Sequence, residues 1–174
     1  MRQLVRVCAL AVVVIGAPMV AAAQTAMADD DRAGLISAGV FAGAELDTSD
    51  NWLLFGADAR VQVSHGLELE PRITYQPLGI GHLIQLDANV LKNLDLARPG
   101  RLRPFAGIGG TLTSYSFAAR AGTTKVGLNL VAGTRIALSS GSGYEPFIMS
   151  QYSIVRNQLN AFSIVVGASF RLRQ

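Results

Sequence analysis

His82 is one of two histidines in this chain of 174 residues, and Ser114 and Ser116 close a later segment with the same apolar and polar alternation. A serine beside a histidine is the start of a nucleophile and base pair, but such a pair needs a third group to orient the base. No Asp or Glu shares the parity of these three residues nearby. The plainer reading is an interfacial histidine beside small rim residues. His65 belongs to the opposite end of the alternating segments from His82, and Cys8, the only cysteine, lies in the amino-terminal apolar run. No spaced carboxylate, histidine and cysteine set for a metal results, and no cofactor is expected. Glu68 and Glu70 share one face and read as ion-pair members more readily than as an acid and base couple. The glycines at 107, 109 and 110 precede no helix, so they imply no phosphate loop, and close packing or strand coiling explains them better.

A larger constellation is Asp58, Arg60, Glu68, Glu70, Arg72, Asp87, Arg103, Lys125, Arg135, Glu145 and Arg171. All fall on one parity of their segments. If that parity lines a narrow interior, acids and bases there should pair, because an unpaired buried charge costs several kcal/mol. Mixed signs predict an ion-paired plug. The alternative is a gated ion path, which needs continuous water where an eight-stranded interior is normally filled by side chains.

The elements that must position these groups are strands. Eight runs of strand type follow residue 34, near 34–45, 52–64, 67–76, 81–92, 102–117, 124–138, 144–155 and 160–172. Each is near the length of about 9–11 residues that a tilted membrane strand requires. Breakers separate them, among them His65-Gly66, Pro77-Leu78-Gly79, Arg98-Pro99-Gly100, Ala121-Gly122-Thr123 and Arg156-Asn157. No run has a sustained helical period. The opposite parity is almost free of charge: Leu53, Phe55, Ala57, Ala59 and Val61, then Leu69, Ile73 and Tyr75, then Ile84, Leu86 and Val90, and in the last run Phe162, Ile164, Val166, Ala168 and Phe170. A soluble ligand-binding barrel would turn this set inward. The glycine-rich polar set suits a tight interior better, and the uniform face then meets lipid. With the N-terminus on the periplasmic side, Phe55, Tyr75, Tyr152 and Phe162 fall at one rim and Tyr144 and Phe170 at the other, as two aromatic girdles.

The first 23 residues read as a secretory signal peptide: Arg2 and Arg6, an apolar run from Val7 to Ile15, Pro18 and the small residues Ala21 to Ala23. The run is too short to span a membrane as a helix. Residues 24–33 read as a short solvated leader and 34–174 as one barrel domain. Removing Arg2 and Arg6 leaves 13 basic against 12 acidic residues, so the mature chain is close to neutral. No basic stripe with interleaved aromatics marks a nucleic-acid partner.

On Arg103-Pro104-Phe105-Ala106-Gly107-Ile108-Gly109, Gly127 to Gly133, Glu145-Pro146-Phe147 and the closing Phe162 to Leu172 strand, the chain resembles the small eight-stranded outer-membrane β-barrels, the OmpA/OmpX-like group. The resemblance implies an all-β, antiparallel, up-and-down transmembrane barrel. It implies outer-membrane lipid as surroundings and the barrel-assembly machinery as a partner in biogenesis. Such families usually end on an aromatic residue; here Phe170 is in register, but Arg171 to Gln174 follow it. Outer-membrane lipid hydrolases share this architecture with a serine and histidine on the outer wall, which is the enzyme alternative for His82 with Ser114 or Ser116. The connections on the outer side are short, near 46–51, 77–80, 118–123 and 156–159, and leave little surface for recognition; the longest turn, 93–101, is periplasmic. The reading is a monomeric, non-enzymatic barrel with a structural or envelope-interaction role. A lipid hydrolase, a narrow channel and a soluble periplasmic barrel are its alternatives.

Overall fold

The computed structural model describes residues 34–46, 51–79, 81–94, 101–117, 120–138, 143–155 and 160–171. The expected signal peptide, the leader and most of the 93–101 turn lie outside them. Eight strands form: β1 (Gly34–Leu46), β2 (Asn51–Ser64), β3 (Leu67–Leu78), β4 (Gly81–Asn93), β5 (Leu102–Phe117), β6 (Arg120–Ile136), β7 (Tyr144–Val155) and β8 (Ala161–Arg171). Each pairs antiparallel with the next, and β8 returns to β1 over ten register pairs, from Leu46 opposite Phe162 to Ser37 opposite Arg171. The sheet is a closed barrel without an edge in its strand order.

Alternation sets which side chain enters the barrel. Along β3, Glu68, Glu70, Arg72, Thr74 and Gln76 are buried, while Pro71, Ile73, Tyr75 and Pro77 are exposed. Among the described residues, 22 large apolar side chains are exposed and ten are buried, against 17 buried polar or charged ones. That distribution is inverted relative to a soluble barrel. Leu128, Ile108 and Leu53 stand outward at 66%, 65% and 64% exposure.

Local chemistry fixes the turns and the irregularities. His65 and Gly66 close the β2–β3 hairpin, and Gly66 takes φ 70°, a left-handed conformation that glycine adopts without a Cβ clash. Between Asp58 opposite Arg72 and Val61 opposite Leu69 the β2–β3 ladder is interrupted; Pro71, which has no N–H to give, lies in that gap.

Two expectations about the strands are corrected. β6 begins at Arg120 rather than near 124, so Ala121-Gly122-Thr123 is strand instead of turn; the pairing of Tyr115 with Thr123 holds it in the ladder. β3 likewise runs through Pro77 to Leu78, opposite Gly81 on β4.

The interior also departs from a purely polar plug. Phe41, Leu54, Leu91, Phe105, Val131, Phe147, Met149 and Val165 form an apolar collar inside the barrel. Three of its rings lie over glycines on the neighbouring strand: Phe41 opposite Gly56, Phe105 opposite Gly133 and Phe147 opposite Gly167. A Cβ on Gly133 would come within 2.6 Å of Phe105 Cζ, and one on Gly167 within 2.6 Å of Phe147 Cζ. These glycines are therefore seats for aromatic rings, a known way to fit large side chains into a curved sheet.

Candidate functional site

The charged parity converges on the lumen and separates into a tight waist and an open mouth. At the waist, Arg72 Nη2 donates to Glu70 Oε1 at 2.7 Å, two residues away on the same strand. The same guanidinium crosses the barrel from β3 to β7, where it donates to Gln151 Oε1 at 3.2 Å and Met149 Sδ at 2.9 Å. It also lies over the Phe41 ring, 4.8 Å from the centroid, a favourable place for a cation. Asn89 Nδ2 adds a bond to Glu70 Oε1 at 3.3 Å.

Asp87 is held by amide donors, and no cation pairs with it among the described residues. Asn129 Nδ2 donates to it at 2.8 Å, Gln85 Nε2 at 2.9 and 3.1 Å, and Gln151 Nε2 at 3.5 Å. Ser153 Oγ donates to Asn129 Oδ1 at 2.9 Å and completes the mesh. Such bolts link opposite walls, with Arg72 Nε left without a partner among the described residues.

Toward the end where β1 begins and β8 ends lies a cavity of about 430 Å³, with Arg60, Arg103, Arg135, Arg171, Glu68 and Glu145 on its wall. Arg135 grips Glu68 with a two-pronged contact, Nη2 to Oε2 at 2.7 Å and Nη1 to Oε1 at 3.2 Å. It lies 4.5 Å over the Phe105 ring and donates to Asn93 Oδ1 at 2.8 Å. The other pairs are long: Arg60 stands 3.6 Å from Glu145 and 4.0 Å from Glu68, and Arg103, largely exposed, 3.7 Å from Glu145. The opposite end holds a cavity of about 240 Å³ by Trp52, Leu83 and Tyr115. A gap of about 20 Å³ by Phe41, Leu54 and Arg72 lies at the level of the waist.

The expectation of one lumen-wide ion-pair network is thus corrected in part. Asp58, Asp87 and Arg171 make no ion pair among the described residues. Register sets Asp58, Arg72 and Asp87 in one row across β2, β3 and β4, but Arg72 turns to Glu70 and across the lumen instead. Lys125 sits toward the far rim, opposite Thr113.

On the outer wall, register sets His82 opposite Ser116, and Ile84 opposite Ser114. The His82 ring stacks on Tyr75, with centroids 5.8 Å apart, and no hydrogen bond joins it to either serine among the described residues. Among the described residues no carboxylate orients it. The six outward aromatics form three directly opposed pairs: Phe55 with Tyr75, Tyr152 with Phe162, and Tyr144 with Phe170. Asn160 Nδ2 donates to the Tyr152 hydroxyl at 2.7 Å. Among the described residues no group of three His, Cys, Asp or Glu is placed to hold a metal.

What sequence reasoning missed is the inward apolar collar, Asn93, and the bonds by which Gln151 and Asn129, both legible on the inward parity, tie the charges down. A signal for the collar was present: Gly43, Gly56, Gly107, Gly133 and Gly167 lie opposite Leu54, Phe41, Leu91, Phe105 and Phe147 on the next strand. Reading it requires the register.

No family model and no curated protein matches this sequence. Among solved structures, Neisserial surface protein A is similar with a TM-score of 0.62 at 12% identity, over 79% of this chain and 96% of that one. The N-terminal β-barrel domain of Pseudomonas aeruginosa OprF gives 0.58 at 15% identity, over 80% and 99%. The Yersinia pestis attachment invasion locus protein Ail gives 0.50 at 13%, over 80% and 99%. The fold is that of the small eight-stranded outer-membrane β-barrels. Within such a barrel the His82 edge faces outward, while the waist and the basic mouth are interior.

Proposed function

We propose that the chain is an integral outer-membrane barrel with a structural or envelope-interaction role and no catalysis, made with a removable signal peptide over 1–23 and a short leader over 24–33. The observation that carries this reading is the outer wall, where the large apolar side chains of all eight strands stand exposed with three aromatic pairs among them. Burying one Leu or Ile is worth about 1.5–3 kcal/mol. A wall of them in water works against a fold whose whole stability is about 5–15 kcal/mol. Lipid removes that conflict and leaves the polar lumen inside.

The reading is tested by running the envelope-fraction protein on a detergent gel, unboiled against boiled. A faster unboiled band that shifts on heating is the expected result. Soluble periplasmic protein with no shift would overturn it and restore a soluble ligand-binding barrel. A gap at the waist with room for about one water supports a plug over a channel, and planar bilayers should stay silent. The stacked, unoriented His82 supports a non-enzymatic wall over a lipid hydrolase, so His82→Ala should leave the envelope lipid profile unchanged. Phe170 is the aromatic residue offered to the barrel-assembly machinery, and the barrel works as a monomer.

A further inference from the structure

We propose that the basic mouth is a binding site for a phosphate group entering from the aqueous side of the end where β1 begins. Arg60 is the anchor. Its side chain is only 5% exposed, yet its closest carboxylate contacts are 3.6 and 4.0 Å, it makes no hydrogen bond among the described residues, and its Nε has no partner. A guanidinium carries five N–H donors, and buried donors in folded proteins are paired. One left open beside a cavity of about 430 Å³ points to an acceptor that belongs there.

Two further donors are poised in the same way. Ser37 and Ser169 line the cavity at 4% and 1% exposure, and neither hydroxyl has a partner. Register gathers them with the arginines: Ser37 lies opposite Arg60 on one side and Arg171 on the other, and Ser169 lies opposite Glu145. Arg171 is exposed and makes no ion pair among the described residues.

Charge selects the ligand. The wall holds four arginines against two glutamates, and Arg135 already occupies Glu68. Glu145 reaches Arg60 and Arg103 only at 3.6 and 3.7 Å, Glu68 adds a contact of 4.0 Å to Arg60, and Arg171 has no ion pair among the described residues. Asp58, also without a hydrogen bond among the described residues, precedes Arg60 by two residues on β2, away from the mouth, so the anion's place is on the mouth side of Arg60. Forked guanidinium groups with hydroxyls from several strands match the divergent oxygens of a phosphate better than a spherical halide. The cavity also leaves room for the organic part of a small phosphomonoester.

The site itself does not depend on where the barrel resides; only entry from the periplasm rests on the proposed function. The test is therefore made on the whole mature chain folded in detergent micelles, with the heat-dependent gel shift showing that each variant is folded. Inorganic phosphate and glucose 1-phosphate are titrated separately at constant ionic strength while NMR follows the arginine Nε–H signals. The Arg60 signal, identified by its loss in Arg60→Gln, should move saturably with phosphate. Arg171→Gln and Ser37→Ala should each weaken binding about tenfold, while Lys92→Gln, exposed on the outward parity of β4, should not. Tighter binding of glucose 1-phosphate than of inorganic phosphate identifies the occupant as a phosphomonoester, and the reverse identifies free phosphate. An unmoved Arg60 signal in folded protein would overturn the proposal, as would an equal response to chloride.

Discussion

Arg72 and Arg60 stand twelve residues apart on adjacent strands, both buried in one lumen, and their surroundings could hardly differ more. Arg72 holds a carboxylate at 2.7 Å, an amide and a thioether across the barrel and an aromatic face beneath it. Arg60 has two carboxylates no closer than 3.6 Å and no hydrogen bond among the described residues. The same residue type on the same parity thus serves two ends: at the waist it fastens opposite walls, and at the mouth it is held open. Both Nε groups lack a partner among the described residues, so neither burial nor Nε separates a structural charge from a receptive one; the state of the terminal nitrogens does.

That contrast yields a gradient of stability effects running from waist to mouth, each measured by urea unfolding of the barrel in lipid or detergent. Glu70→Ala leaves Arg72 buried without its carboxylate and should cost most, about 3–5 kcal/mol. If it costs less than a mouth substitution, the division is wrong. Next comes Gly133→Ala, which drives a methyl group against the Phe105 ring that carries Arg135 and should cost about 1–3 kcal/mol through overpacking. Arg60→Gln removes only long contacts and should cost about 0.5–1.5 kcal/mol. Smallest is Arg171→Gln at the exposed end of β8, with stability held within about 0.5 kcal/mol. A large loss there would mean that Arg171 is a fastener too, and the two ends would no longer be distinct.

Period-two alternation makes much of this legible in the sequence. It placed eight strands, the uncharged wall and all eleven charges on one parity, because one residue of slip would turn a whole strand inside out. It failed where both parities are apolar. Leu53-Leu54-Phe55, Val90-Leu91 and Ile164-Val165-Val166 give no alternation to read, and so nothing in the sequence marks Leu54, Leu91 and Val165 as inward although they build the collar. The pairing of individual charges was equally hidden. Arg72 has Asp58 and Asp87 opposite it in register and chooses Glu70 and β7 instead, a choice made by side-chain reach across the lumen. Ala121-Gly122-Thr123 shows the opposite error, since a turn-like composition was overridden by pairing with β5.

The seam between β1 and β8 joins positions as far apart as Ser37 and Arg171, nearly the two limits of the described chain. Loop closure over such a separation is slow to achieve, so both outer strands stay unpaired until the last hairpin arrives. Every earlier stage of synthesis therefore carries two sticky flanks able to recruit the wrong neighbour. Once joined, the ring cannot peel from an end. Loss of any single ladder leaves seven others, which makes unfolding a rare, concerted event and gives the closed form a long lifetime even if its equilibrium advantage is modest.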